Sequence, residues 1–249
     1  SRDFDSKFRK EKGMKSGAAS GIEGSSDSMS CNEMTEEWFL ADEAFMLRFQ
    51  TAPAGVKNHH AYRGGLLEHV VQLMQVVQAI APLYGELDRD MLLLGAFLHD
   101  VGKIGIRDEV LCKHGPLTPE ETQHIQQHPQ IGHAILQDLH QISSLLPGVL
   151  HHHERFDGAG YPSRLAGEQI PRIARILAVA DSYDAMSTSR PYRQGLAPDR
   201  VESILIEGSV EQWDPRIIEA FQRIIPRLRS IREHGLGESL RHALDGALR

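Results

Sequence analysis

Ionisable side chains stand inside several apolar segments of this 249-residue chain, where a core helix would carry aliphatic residues. His69 follows Leu66 by three positions and precedes Leu73 by four, so it shares the buried face of a helix. Six further groups stand in comparable places in or beside apolar stretches: His99, Asp100, His128, His152, His153 and Asp181. Burying one such group without a partner costs a few kcal/mol. So many isolated burials would conflict with a net stability of about 5–15 kcal/mol.

Bound cations would satisfy all of these groups if the fold brings them together. Imidazole nitrogens and carboxylate oxygens without a thiolate suit iron, manganese, zinc, cobalt or nickel better than calcium or a soft metal. The set holds more donors than one ion needs. This favours two divalent ions about 3.5–4 Å apart, an arrangement used in phosphoester hydrolysis. A lone buried histidine is more often a hydrogen-bonded core residue, and it is the joint pattern that favours ligands.

Composition excludes several classes of protein. The chain has 34 acidic and 27 basic residues and a formal net charge of −7, which argues against non-specific binding to nucleic acid. Its two cysteines, Cys31 and Cys112, cannot form a disulfide framework or a cysteine-based zinc site. No uninterrupted apolar run approaches the ~18 residues of a membrane span, and the N-terminus lacks a signal-peptide pattern. We therefore expect a cytoplasmic protein without a membrane partner.

Helical periodicity dominates the elements that would position the ionisable groups. Apolar residues recur at helical spacing in three segments: His60–Ile80, Met91–His99 and residues 171–188. Thr118–Glu121 has the sequence of a capping box, and Asp214-Pro215 predicts another helix start. No convincing pair of alternating strands occurs. We predict one all-α domain over residues 34–249.

The two ends of the chain differ from this domain. Glycine and serine dominate Ser16–Ser30, so we predict a flexible tail or linker over residues 1–33. The first residue is serine rather than methionine, and we expect a fragment of a longer protein with an upstream sensor or receiver domain. For residues 227–249 we predict helices that cover the core or a partner.

Five segments, in order along the chain, resemble the HD-GYP branch of the HD superfamily. They are HDVGKIGIRDEVL (His99–Leu111), HPQIG (His128–Gly132), HHERFDGAGYP (His152–Pro162), RILAVADSYDAMSTSRPYR (Arg175–Arg193) and DP-x-x-x-E-A-F (Asp214–Phe221). The similarity covers about residues 60–222. It implies an all-helical bundle with a buried metal centre, commonly of iron or manganese, and a phosphodiesterase of cyclic di-GMP.

The resemblance also implies roles for individual residues. The metal ligands would be His69, His99, Asp100, His128, His152, His153 and Asp181. Asp100 would bridge two ions and, with Lys103 on the scissile phosphate, serve catalysis by a metal-activated hydroxide. Arg190 and Arg193 would hold phosphate and guanine groups, a task that suits the guanidinium fork. Tyr161 would lie at the site mouth, where its ring could meet a base. The product would be linear pGpG.

The sequence departs from the family at two places. Members with three metals carry a glutamate four residues before the first histidine, where this chain has Gly65. We therefore favour two ions, and pGpG rather than GMP as the end product. His59–Tyr84 is more similar to the HD domains of certain 3′–5′ exoribonucleases, so an exoribonuclease is one alternative. A non-catalytic module that binds a cyclic dinucleotide is another. Cyclic GMP–AMP as substrate, and a homodimer, stay open.

Overall fold

The computed structural model describes residues 43–53, 65–113, 115–188 and 194–234. Within these ranges the chain forms ten α-helices: α1 (Glu43–Thr51), α2 (Gly65–Ile80), α3 (Arg89–Leu98), α4 (Asp108–Leu111), α5 (Pro119–Ile125), α6 (His128–Leu136), α7 (Leu146–His151), α8 (Arg172–Ser187), α9 (Pro198–Glu207) and α10 (Pro215–His234). Short 3-10 turns occur at Ala81–Leu83, Val101–Gly105, His140–Ile142 and Gly167–Gln169. The described residues contain no strand, only an isolated bridge between Ser209 and Trp213. The predicted all-α fold is confirmed.

Local sequence signals set several helix starts. Thr118 and Glu121 form the predicted capping box, in which each side chain accepts a hydrogen bond from the other residue's backbone N–H. Asp214 Oδ1 accepts the backbone N–H of Arg216 at 2.9 Å at the start of α10. The helix predicted over Met91–His99 ends at Leu98, and the 3-10 turn Val101–Gly105 follows it. This break places His99 and Asp100 at the junction of two elements.

Helix α2 contributes side chains to two core clusters, one at each of its ends. Towards its C-terminal end, Leu73 and Val77 join a cluster that contains Leu177 of α8. Towards its N-terminal end, Leu66 and Val70 join a second cluster that contains Leu98 of α3. Because α2 packs into both clusters, a polar side chain on its buried face is held rigidly and away from water.

One segment, Gly65–Leu83, is long and apolar enough to pass a length-and-composition test for a membrane span. The segment is not an uninterrupted apolar run, because Glu68, His69 and three glutamines lie within it. It passes the test on its average hydropathy. Half of the segment is buried against other helices. Core helices of globular proteins meet the same test, so length and composition are weak evidence for a span.

Some predictions fall on residues that the structure does not describe. The tail predicted over residues 1–33 and the start of the helix predicted from His60 lie outside the described ranges. The same is true of Arg190 and Arg193. Of the C-terminal stretch 227–249, the structure describes residues up to His234, which belong to α10.

Candidate metal centre

All of the predicted ligands come together in two adjoining groups. Asp100, His128, His152 and His153 form one, and His69, His99 and Asp181 form the other. Within each group the nitrogen and oxygen donor atoms lie within 4.8 Å of one another. The residues come from α2, the α3 junction, the start of α6, the segment after α7, and α8. Residues more than 110 positions apart in the sequence thus share one site.

Asp100 belongs to the first group and also reaches the histidines of the second. Its Oδ1 is 3.2 Å from Nε2 of His128 and 3.7 Å from Nε2 of His152. Its Oδ2 is 3.5 Å from Nε2 of both His69 and His99. One carboxylate oxygen therefore faces each group, which is the arrangement that a bridging ligand requires.

Three imidazoles are oriented by the same local device. Nδ1 of His99, of His128 and of His152 each lies 2.8 Å from the backbone carbonyl oxygen of the residue three positions earlier. A carbonyl oxygen can only accept, so Nδ1 carries the hydrogen and Nε2 presents a lone pair to the cluster. Such a partner on the outer nitrogen is the usual way to orient a metal-binding histidine.

The interior of the cluster fits a cation. Nε2 of His69 lies 3.3 Å from Nε2 of His99, and Nε2 of His128 lies 3.2 Å from Nε2 of His152. The nitrogens of His128 and His152 both present lone pairs, and lone pairs that face each other at this distance in a buried site repel. Among the described residues, Asp100 Oδ1 is a buried oxygen without a hydrogen-bond donor. A positive ion between these atoms removes both defects, and the all-nitrogen-and-oxygen donor set suits first-row metals such as iron, manganese and zinc.

Burial also sets the charge state of the imidazoles. It lowers the pKa of His128 below the ordinary value and the pKa values of His99 and His153 well below it. These rings are therefore neutral near pH 7, which is the form that binds a metal. For His69 burial also acts to lower the pKa, but the hydrogen bond and charge of Asp184 outweigh it and raise the pKa.

Lys103 complements the central carboxylate. Its Nζ donates to Oδ2 of Asp100, and the lysine side chain is only 14% exposed. Burial alone would raise the pKa of Asp100, but the positive charge of Lys103 opposes it and holds that pKa well below its usual range. Asp100 is thus ionised at any physiological pH and available as a ligand.

Two glycines allow the ligand-bearing elements to approach. A Cβ on Gly102 would lie 1.9 Å from the carbonyl oxygen of His128 and 2.6 Å from the backbone nitrogen of Gly132. A Cβ on Gly132 would itself lie 3.3 Å from the backbone nitrogen of Gly102. The 3-10 turn therefore packs backbone to backbone against α6. This contact sets the separation between Asp100 and His128.

A family model described as the HD domain matches residues 56–217. This chain belongs to the HD-domain family. A cyclic di-GMP phosphodiesterase of Vibrio cholerae is 38% identical over 188 residues, which cover 73% of this chain and 37% of that protein. A 3′3′-cGAMP-specific phosphodiesterase of the same organism is 34% identical over 61% of this chain and 30% of that protein. The chain thus spans about a third of the length of these relatives.

A solved structure agrees with the HD fold. An HDG"Y"P protein from Bdellovibrio bacteriovorus superposes with a TM-score of 0.53 at 18% identity, covering 80% of this chain and 61% of that one. At that identity the likeness concerns the fold alone. It confirms the predicted helical bundle. The motif series, the family match and the cyclic di-GMP phosphodiesterase at 38% identity confirm the predicted HD-GYP branch.

In this HD domain the GYP loop (residues 155–166) folds back over the ligand pair that precedes it. Tyr161 donates its backbone N–H to the carbonyl of His153 at 3.2 Å, and its ring stacks on the His153 imidazole with centroids 4.9 Å apart. Burial, followed by the charges of Asp100 and Asp181, raises the pKa of the Tyr161 hydroxyl. The residue predicted at the site mouth therefore lies beside the cluster, with one face against a predicted ligand and a hydroxyl that keeps its proton at neutral pH.

One residue of the HD site was not predicted. Asp184 Oδ2 lies 2.7 Å from Nδ1 of His69, and Asp184 is 2% exposed. It thus plays for His69 the part that a backbone carbonyl plays for His99, His128 and His152. The sequence feature that could have indicated Asp184 is its position three residues after Asp181 in α8. This spacing places both carboxylates on one face of the helix.

Proposed function

We propose that this HD domain is a metal-dependent phosphodiesterase that hydrolyses cyclic di-GMP to linear pGpG. The observation that carries the proposal is the position of Asp100, which turns one oxygen to each of two groups of donors. A cyclic di-GMP phosphodiesterase at 38% identity supports the choice of substrate. We assign the activity to a domain over residues 34–249 and place it in the cytoplasm.

The chain would hold two divalent metal ions, and iron and manganese are the metals we favour. His69, His99 and Asp181 would bind one and His128, His152 and His153 the other, with Asp100 shared. Such ions supply a nucleophilic water of lowered pKa and a positive charge on the phosphoryl oxygens. Gly65, the first residue of α2, offers no carboxylate for a third ion. This supports two ions and pGpG as the end product.

Other residues would act on the substrate directly. The Lys103 ammonium, held beside Asp100, would stabilise negative charge as it grows on the phosphate, a role typically worth 10²–10³-fold in rate, roughly. The Tyr161 hydroxyl can donate a hydrogen bond at neutral pH but cannot serve as a base, because its pKa is raised. For Arg190 and Arg193 the family motif alone supports binding of phosphate and guanine.

Cyclic GMP–AMP is the second candidate substrate. The relative at 34% identity is a 3′3′-cGAMP-specific phosphodiesterase. The two cyclic dinucleotides present the same phosphodiester bond to the metal groups and differ in one base. Discrimination therefore rests on residues outside the metal centre.

The deciding experiment uses the whole chain, purified without oxygen, and measures its metal content and its products in the same sample. We expect about two ions per chain and conversion of cyclic di-GMP to pGpG, faster than cleavage of cyclic GMP–AMP or of a short RNA. The Asp100→Ala variant should lose both metal and turnover. A metal-replete, active Asp100→Ala protein would contradict the proposed site. Preferred cleavage of RNA would favour an exoribonuclease, and tight binding without product a non-catalytic module.

A further inference from the structure

Glu154 directly follows the ligand pair His152 and His153, yet it takes no part in the donor groups. It is buried, with 4% of its surface exposed. Neither group of donors within the described residues includes it. A carboxylate beside two predicted ligands would be an obvious metal ligand by sequence, so its actual partners require an explanation.

Both carboxylate oxygens of Glu154 accept backbone N–H groups from the far arm of the GYP loop. Oε1 accepts from Ser163 at 2.7 Å, and Oε2 accepts from Leu165 at 3.1 Å. These two donors lie one and three positions after Pro162 of the loop. The carboxylate therefore ties the chain just after His153 to the chain just after Tyr161.

The near arm of the loop is held at the same place. A Cβ on Gly160 would lie 2.5 Å from Cα of Glu154 and 2.3 Å from the backbone nitrogen of Arg155, so this glycine packs directly on the glutamate's backbone. The next residue, Tyr161, donates its backbone N–H to the carbonyl of His153. The tyrosine thus lies between two anchors, one on each side, and Glu154 supplies one of them through its side chain.

We propose that Glu154 is a positioning residue that holds the Tyr161 ring against His153 and so presents the tyrosine to the substrate. This inference rests on the proposed phosphodiesterase function. A buried carboxylate that accepts two backbone donors is a strong, directional anchor, because hydrogen bonds to a charged group contribute more than neutral ones. Without it, the two amides lose their acceptor and the arm that follows Tyr161 is released, while the metal ligands keep their own contacts.

The test compares Glu154→Gln with Glu168→Gln in the metal-loaded full chain. Glutamine keeps the size of the side chain but can offer only one oxygen, so one of the two amides loses its partner. We expect KM for cyclic di-GMP to rise about tenfold, with kcat changed less than KM and metal content unchanged. Glu168 is a matched control, because its side chain is 74% exposed and pairs with Arg216 at the surface. Its variant should keep the wild-type KM.

A double-mutant cycle decides whether Glu154 acts through the tyrosine. If it does, Glu154→Gln adds little to the KM of a Tyr161→Ala protein. Full additivity would overturn the inference, and so would a parallel loss of metal or a wild-type KM in Glu154→Gln. Glu154→Asp keeps the charge on a shorter side chain and should show a smaller rise in KM, which preserves the test if the glutamine variant does not fold. A wild-type chain without turnover would instead refute the proposed function itself.

Discussion

Asp184 decides which nitrogen of His69 faces the metal groups. Its Oδ2 lies 2.7 Å from Nδ1 of His69, while its Oδ1 accepts the hydroxyl of Thr188 at 2.9 Å. An ionised carboxylate only accepts, so the Nδ1 of His69 carries the hydrogen and Nε2 is turned towards Asp100 and His99. The orientation of one ligand thus depends on a residue that does not reach the ions.

Replacing Asp184 with asparagine should weaken metal binding about 10–100-fold. The amide can present its NH₂ group to Nδ1 of His69, which removes the constraint on the ring and the basicity that the carboxylate lends it. Competition with a calibrated chelator measures the affinity directly. Asp199→Asn is a suitable control, because that side chain is 89% exposed on α9. Equal affinities in the wild type and Asp184→Asn would show that Asp184 does not orient the ligand.

The depressed imidazole pKa values predict an acid-sensitive metal-free protein. An unfolded histidine takes up a proton near pH 6.5, roughly, whereas buried His99, His128 and His153 do so only at lower pH. Below that value the unfolded state binds more protons, so the free energy of unfolding falls by about 1 kcal/mol per pH unit for each ring. His69 has a raised pKa, so its stabilising contribution is complete below about pH 6.5 and is lost at higher pH.

Urea unfolding of chelator-treated protein between about pH 7 and pH 5 measures this slope. We expect the midpoint to decrease steadily on acidification below about pH 6.5. Metal loading should raise the midpoint at neutral pH and lose its effect in acid, because protons compete with the ions for Nε2. A midpoint that is constant or rises on acidification would be inconsistent with neutral buried imidazoles.

At the scale of elements, the sequence reveals ligands better than the contacts that bring them together. His69 could be predicted because a polar residue interrupts an apolar helical stripe, and His99 and Asp100 because they end one. The role of Gly102 could not be predicted from the sequence. Its neighbours belong to α6, about thirty positions away, and only the folded chain shows that its missing side chain makes room for them.

Gly102→Ala tests whether this backbone contact sets the site. The added Cβ would meet the carbonyl of His128 and the nitrogen of Gly132, and neither backbone atom can rotate away. We expect the 3-10 turn and α6 to separate, with a loss of about 1–3 kcal/mol or more in the free energy of unfolding and a marked loss of bound metal. The matched control is Gly85→Ala, because a Cβ there would meet nothing within 4 Å. Full metal content in Gly102→Ala would show that the ligands tolerate the separation.

At the scale of the whole molecule, the turn before α10 connects the GYP loop to the helix that carries Asp181. The carbonyls of Glu211 and Gln212 accept the backbone N–H groups of Asp157 and Phe156 at 2.8 and 3.1 Å. On its other side, Trp213 Nε1 donates to the hydroxyl of Ser182 at 3.2 Å. The three residues before the late Asp-Pro motif thus fix the loop relative to α8. The sequence predicted a helix start there but not this connection, because it joins segments about fifty residues apart.

A buried ion pair locks this turn onto α8, and its removal should destabilise the molecule as a whole. Arg175 of α8 donates to Asp214 Oδ2, and both side chains are at least nine-tenths buried. Asp214→Asn keeps a side-chain oxygen that can still cap α10 but removes the charge. Since the arginine is then buried without its counter-ion, we expect a loss of about 3–5 kcal/mol in the free energy of unfolding, measured in urea.

The double variant distinguishes a lost pair from lost packing. Arg175→Met should also destabilise when it is made alone, because it leaves a buried carboxylate. Arg175→Met combined with Asp214→Asn should cost less than the two single changes added together, since no unpaired charge then remains. Arg223→Met serves as the control, because its pair with Glu219 is exposed on both sides and should contribute about 1 kcal/mol or less. Simple additivity would mean that the two residues stabilise the molecule independently, and that the turn is held on α8 by the Trp213–Ser182 contact and apolar packing alone.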